Sequence, residues 1–373
     1  MALEVFETLI PIEAHVKLKL FREHLFLQLK KGGGTMHKFV SKSDKEYMNV
    51  DFSSLSKDNI SPEPFLEEQC KVFGKFWNPK MSAMIYQNLL QNLRDFRKHA
   101  ISQVDSSQRA PYNYKNAIHS YKKDTVGGDS WKISTLQQMP DVIITGLAEV
   151  DKLSYELVAV PHQSLLSLNT VLGKPSGGIR TICKTGKLYI VSNLISTKVT
   201  EWEQSISGKC KYDTARKGSN ALDAALHRGL IAEVAFGLQE HFCSTLNDFH
   251  KFFDTIDINV LLTQACFEEY PSVELSLALQ QHLAPRVIQV CSFSSSQLIV
   301  NCSILAGCKQ SIPMTRTLLK QLMCKLNTKH PNAPPQVFVD DTSMSARHKK
   351  WRTVLNRLAP CILDFATGVK EIR

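Results

Sequence analysis

"PQVFVDDTSMSARHKK" (Pro335–Lys350) places two adjacent carboxylates after a short apolar run and before a basic stretch. Val337, Phe338 and Val339 are strand formers, so Asp340 and Asp341 fall at the end of an apolar strand. The preceding "NAPP" (Asn332–Pro335) forbids helix and marks where that strand begins. Thr342, Ser343 and Met344 can start a second strand, which makes a tight hairpin with carboxylates at its tip. Such a pair can be plain turn chemistry, since Asp tolerates unusual backbone angles. It also suits Mg²⁺, which takes a few hard oxygen ligands together with substrate phosphates. In that case a third acid has to come from elsewhere in the chain.

Outward from this stretch, 373 residues leave room for two domains and a sizeable core. A hydrophobic share of 43% with 21% charged residues is ordinary for a globular protein. The formal charge of +10 points to a polyanionic partner, nucleic acid ahead of a membrane. Ten cysteines without a Cys-x-x-Cys pair or zinc spacing read as reduced, mostly buried thiols, which implies an intracellular protein, nuclear or cytoplasmic. Glu4 and Glu7 in the first apolar stretch argue against a secretory signal, and no run of about 18 apolar residues suggests a membrane span.

Three regions are expected. Residues 1–103 are basic (Lys17, Lys19, Arg22, Lys30, Lys31) and mostly helical, with Ile85, Leu89, Leu93 and Phe96 recurring at helical spacing. Residues 104–150 contain a Ser-, Asn-, Lys- and Tyr-rich stretch with a Gly127-Gly128 pair and read as a linker. Residues 151–373 alternate strand-like and helical stretches.

A third acid stands out in "FCSTLNDFHKFFDTIDINVLL" (Phe242–Leu262), where a strand over Phe242–Asn247 ends at Asp248. Asp257 then opens an amphipathic helix with Val260, Leu261 and Ala265, and Asp254 reads as a helix-capping acid. In "ILAGCKQSIPMTRTLLKQLM" a turn at Gly307 leads to a helix with Pro313 in its first turn. Met314, Leu318, Leu322 and Leu326 form its apolar stripe, and Gly307 and Gln310 precede it where a backbone must approach something closely. "LGKPSGGIRTICKTG" reads as a hairpin carrying Lys174 and Arg180, either a solvated turn or a clamp for a triphosphate.

These stretches, in this order, resemble the reverse transcriptase domain of non-LTR, LINE-like retrotransposons. "KPSGGIR" is similar to the fingers hairpin, and "YDTARKGSNALDAA" (Tyr212–Ala225) to the segment between fingers and palm. "DFHKFFD" resembles the first palm motif, "GCKQSIPMT" the Gly-x-x-Gln-Gly-x-Pro-hydrophobic-Ser motif, and "FVDD" the aromatic-x-Asp-Asp signature. "FGKFWNP" (Phe73–Pro79) is similar to the region ahead of the polymerase in such polyproteins. The likeness covers about residues 155–373. Ser311 replaces the usual second glycine of the Gln-Gly pair, and Ile312 a common acid. "FATGVKEIR" resembles the start of the next palm motif, so the thumb is expected to be missing, and no ordered endonuclease set precedes the polymerase stretch.

The resemblance implies an α+β fold: right-hand fingers and palm with an antiparallel palm sheet, plus the helical N-terminal region. It implies RNA-directed DNA synthesis on an RNA template and DNA primer from deoxynucleoside triphosphates, with two Mg²⁺ ions, Mn²⁺ being a substitute. Asp248, Asp340 and Asp341 would hold the metals and carry catalysis, and two adjacent acids are tolerable where a dication cancels their repulsion. The Phe249 carbonyl would complete a metal shell, and Phe253 would exclude the ribose 2′-oxygen unless it is simply a core residue. Arg180 and Lys174 would neutralise the triphosphate, and Gly307 and Gln310 would lie against the templating pair. The alternative is an inactive polymerase remnant that binds nucleic acid. A phosphoacceptor receiver domain is disfavoured, because its acid pair lies near the N-terminus of its unit.

Overall fold

The structure, a computed structural model, describes residues 63–371 except 123, 174–178, 208–211, 217 and 291–292. Lys174 and most of the basic N-terminal stretch lie outside the described residues. The described residues within 63–171 and 181–371 form one compact unit, which the account below chiefly concerns. Its class is α+β, as expected. Among the described residues no helix is long and apolar enough to cross a membrane.

The periodic stretch after Glu63 forms two helices, α1 (Glu63–Trp77) and α2 (Ala83–Ser102), because Asn78-Pro79 interrupts it and Ser82 caps the second by accepting from the Ile85 N–H. Where a linker was expected, the chain instead forms α3 (Pro111–Ser120), α4 (Ile133–Gln137) and α5 (Asp141–Glu156). Tyr114 and Ile118, Ile133 and Leu136, and Ile144 and Ala148 recur at helical spacing and close a core on Val191 and Ile195 of α6 (Lys187–Ile195). The polar residues that suggested a linker lie partly on exposed helix positions, such as Asn116, His119 and Ser120 of α3, and partly in the segments between the helices. Gly127-Gly128 is no hinge. A Cβ on Gly127 would stand 2.9 Å from the Lys187 nitrogen, and one on Gly128 would stand 2.6 Å from the Lys184 carbonyl oxygen.

One sheet contains β1 (Ser167–Gly173), β2 (Ile179–Lys184), β4 (Arg286–Val290) and β5 (Phe293–Ser294) in the order β2-β1-β4-β5. Within it β1 and β4 run parallel, with Ser167 opposite Arg286. The second sheet is wholly antiparallel: β3 (His241–Asn247), β7 (Asp341–His348) and β6 (Pro335–Phe338), in the order β3-β7-β6.

Val337, Met344 and Ala346 turn one face of this second sheet to the main core. That core is closed by α9 (Ile258–Phe267), α10 (Ser272–His282), α11 (Ser311–Lys329) and α12 (Trp351–Glu371). Met314, Leu318 and Leu326 of α11 are fully buried, each contributing about 1.5–3 kcal/mol. Leu322 is half-buried against the same core. The remaining helices are α7 (Lys198–Ser207) and α8 (Ala221–Gly237), the latter opened by a capping box of Asn220 and Asp223.

Candidate active site

The opening stretch folds as a hairpin: Phe338 pairs with Asp341, so Val339 and Asp340 are the two turn residues. Val339 takes φ +62° and Asp340 does not, the combination a type II′ turn requires. A β-branched residue in that region is strained by about 1–2 kcal/mol, and such strain persists only where the neighbours hold it. Here they do. Val337 donates to the Tyr212 carbonyl at 2.8 Å and accepts from the Thr214 N–H at 2.8 Å, while β7 is laddered to β3 from Thr342 to His348. The segment around Asp213 thus adds a short parallel edge beside β6.

Asp248 follows directly on Asn247, which pairs with Thr342, the residue after Asp341. Adjacent strands lie about 4.8 Å apart, so Asp248 and the Asp340-Asp341 turn share one end of the sheet. The electrostatics agree. Burial first, then the charges of Asp341 and Asp248, push the Asp340 carboxyl above the usual carboxylate range. Asp340 is half-buried; Asp248 and Asp341 are exposed. Among the described residues none of the three makes an ion pair with Lys, Arg or His. Nor do three or more acid, His or Cys side chains converge there as a ready ligand set. The donors are nonetheless hard carboxylate oxygens without a basic partner among the described residues, the chemistry that Mg²⁺ accepts.

The other expected site residues divide by location. The Phe249 side chain is buried against Phe252 and Phe365, with ring centroids 4.8 and 5.8 Å away, which leaves its main chain beside Asp248. Phe253 is half-buried on the main core, edge-on to Phe252, and its carbonyl accepts from the Ile304 N–H at 2.9 Å. That hydrogen bond, with one from the Ser303 N–H to the Ile256 carbonyl, ties the Asp248 stretch to the loop carrying Gly307. Gly307 has φ +96°, so a side chain there would be strained. Gln310 is buried, accepting from the Tyr270 hydroxyl and donating to Asn193, each at 2.9 Å. Arg180 is exposed on β2.

Two features escaped sequence reading. Asp254 caps no helix; it sits in a 3₁₀ turn (Phe252–Thr255) and accepts the Trp77 indole N–H at 2.6 Å. Arg316 of α11 donates to Asp213 at 2.5 Å, to Glu203, and to the Ala215 carbonyl at 2.8 Å. Arg316 and Asp213 lie 103 positions apart, so no local pattern announces the pair. No family model matches the chain, and no curated protein is similar enough to it to count as a relative.

Proposed function

We propose that the chain is an RNA-directed DNA polymerase of the reverse transcriptase type, built on fingers and palm. The observation that carries this reading is that Asp248 and the Asp340-Asp341 pair, beside the strained Val339 turn, share one end of an antiparallel sheet, with no basic side chain among the described residues paired to any of them. Acids are seldom grouped and left without a counter-charge unless a cation completes the site. Asp248, Asp340 and Asp341 would hold two Mg²⁺ ions, which supply charge neutralisation at the attacking and leaving oxygens.

The chain's own residues do the positioning. The turn fixes Asp340 against β6 and β7, and the main chain at Phe249 continues from Asp248 into the core. Phe253, anchored through its carbonyl to Ile304, sets a wall that would lie beside the sugar. Gln310 acts by holding the Gly307 turn through Tyr270 and Asn193 instead of offering its own amide to a base.

The test is primer extension by the full chain on an RNA template with a DNA primer, deoxynucleoside triphosphates and Mg²⁺. Metal-dependent incorporation is expected, and Asp248→Asn or Asp340→Asn should each lower it by about a hundredfold or more. Nucleic-acid affinity should be unchanged in both variants. A wild-type chain that binds nucleic acid but incorporates nothing would assign the fold to a non-catalytic binding remnant.

A further inference from the structure

The stretch "FGKFWNP" ends α1, and its polar atoms reach both segments of the candidate site. Trp77 is fully buried. Its indole N–H donates to Asp254 Oδ1 at 2.6 Å, while its main-chain carbonyl accepts from the Asn301 and Cys302 N–H groups at 2.9 and 3.2 Å. The next residue, Asn78, accepts from the Asn301 side chain at 2.6 Å. Phe73 stacks on Trp77 with ring centroids 4.9 Å apart, and the Lys251 ammonium lies 4.7 Å over the Phe73 ring. Phe76 packs against His250 at 5.9 Å. One helix end therefore touches His250, Lys251 and Asp254, which follow Asp248, and Asn301 and Cys302, which lead toward Gly307.

The electrostatics favour this geometry. An aromatic ring is negative over its face and positive at its edge. The Arg286 guanidinium, 1% exposed, lies 4.6 Å over the Trp77 face, and the Asp254 carboxylate meets the N–H edge. Cation, indole and carboxylate thus reinforce one another in a site withdrawn from water. Arg286 also donates to Ser303 Oγ at 2.9 Å, and the Ser303 and Ile304 N–H groups grip the Ile256 and Phe253 carbonyls, each at 2.9 Å. The 3₁₀ turn bearing Phe253 and Asp254 is held from both sides, and Trp77 supplies the side-chain bond.

We infer that Trp77 is a positioning residue of the nucleotide site. Through Asp254 its indole N–H fixes the turn that follows Asp248 and aims Phe253. This rests on the polymerase reading above and extends it, because α1 lies outside residues 155–373 and becomes part of how the site tells deoxyribose from ribose.

The experiment is single-nucleotide extension by the full chain, comparing kcat/KM for a deoxynucleoside and the matching ribonucleoside triphosphate. Their ratio cancels the fraction of active protein, which a merely structural change would alter. Trp77→Phe keeps the ring between Phe73 and Arg286 but removes the donor, and should lower the deoxy-to-ribo ratio about fivefold or more. Asp254→Leu should do the same, and the double variant should be no worse than either, as expected of one shared bond. Asp254→Asn keeps an acceptor oxygen and should retain most of the ratio. Leu136→Ala, in the separate core beside α6, should lower the melting temperature and leave the ratio alone. Circular dichroism reports folding, so if Trp77→Phe does not fold, Asp254→Leu decides. A native chain that discriminates, with the ratio unmoved in both variants, would overturn the inference and leave the polymerase reading standing. An equal loss in Leu136→Ala would also overturn it, by making Trp77 a stabilising residue only. A native chain that incorporates nothing would overturn the polymerase reading and this inference with it.

Discussion

Asp340 sits where its charged form is disfavoured. Burial and its acidic neighbours raise its pKa, so a folded chain takes up a proton there at a higher pH than an unfolded one. A carboxylate shifted in this direction subtracts stability at any pH above its folded pKa. The cost shrinks as pH falls through that value and is gone below the unfolded value. Without divalent ions, Asp340→Asn should therefore raise the melting temperature at neutral pH by about 1–2 °C. The gain should fade on acidification toward the ordinary carboxylate range. Adding Mg²⁺ should stabilise the native chain and not the variant, which reverses the order. Calorimetric melts across pH, with and without Mg²⁺, check both halves. A variant that melts lower than the native chain at neutral pH would mean that Asp340 is a structural acid.

At the scale of elements, α11 is where local pattern and long-range bonding meet. Its apolar stripe and the proline in its first turn are legible in the sequence, and they set its boundaries and buried face. Its polar side carries the latch that secures the candidate site: Arg316 is bound to Asp213, whose main chain pairs beside Val337 of β6. Removing the guanidinium leaves Asp213, 6% exposed, as an uncompensated buried charge. Arg316→Met should cost about 3–5 kcal/mol in urea unfolding. Arg316→Lys should recover only part of this, because an ammonium cannot reproduce the planar fork that reaches two carboxylates and a carbonyl. A full rescue by lysine would show that charge alone, and not geometry, holds the segment.

For the whole molecule the governing quantity is the formal charge of +10. Basic side chains that meet phosphates release counterions, so affinity falls with salt in proportion to the contacts made. Filter binding of an RNA–DNA hybrid should weaken by at least about tenfold between about 50 mM and about 200 mM salt. Asp340→Asn should leave that slope unchanged, since the lost carboxylate makes no favourable phosphate contact. A salt-independent affinity would remove nucleic acid as the partner.

The sequence by itself determined the hairpin at Asp340-Asp341, the strand ending at Asp248 and the helix headed by Pro313. Each rests on interactions within a few residues: strand-forming runs, a proline's fixed φ, an apolar stripe one turn apart. Composition misjudged residues 104–150, because polar residues on an exposed helix face look the same as those of a linker until the buried face finds its partner in α6. Only the tertiary structure decided that Asp254 serves Trp77, that Gln310 is enclosed by Tyr270 and Asn193, and that Arg316 reaches Asp213. Those bonds join residues separated by 40 to 177 positions. Burial creates their strength, because a polar group removed from water must take whichever partner the fold brings to it.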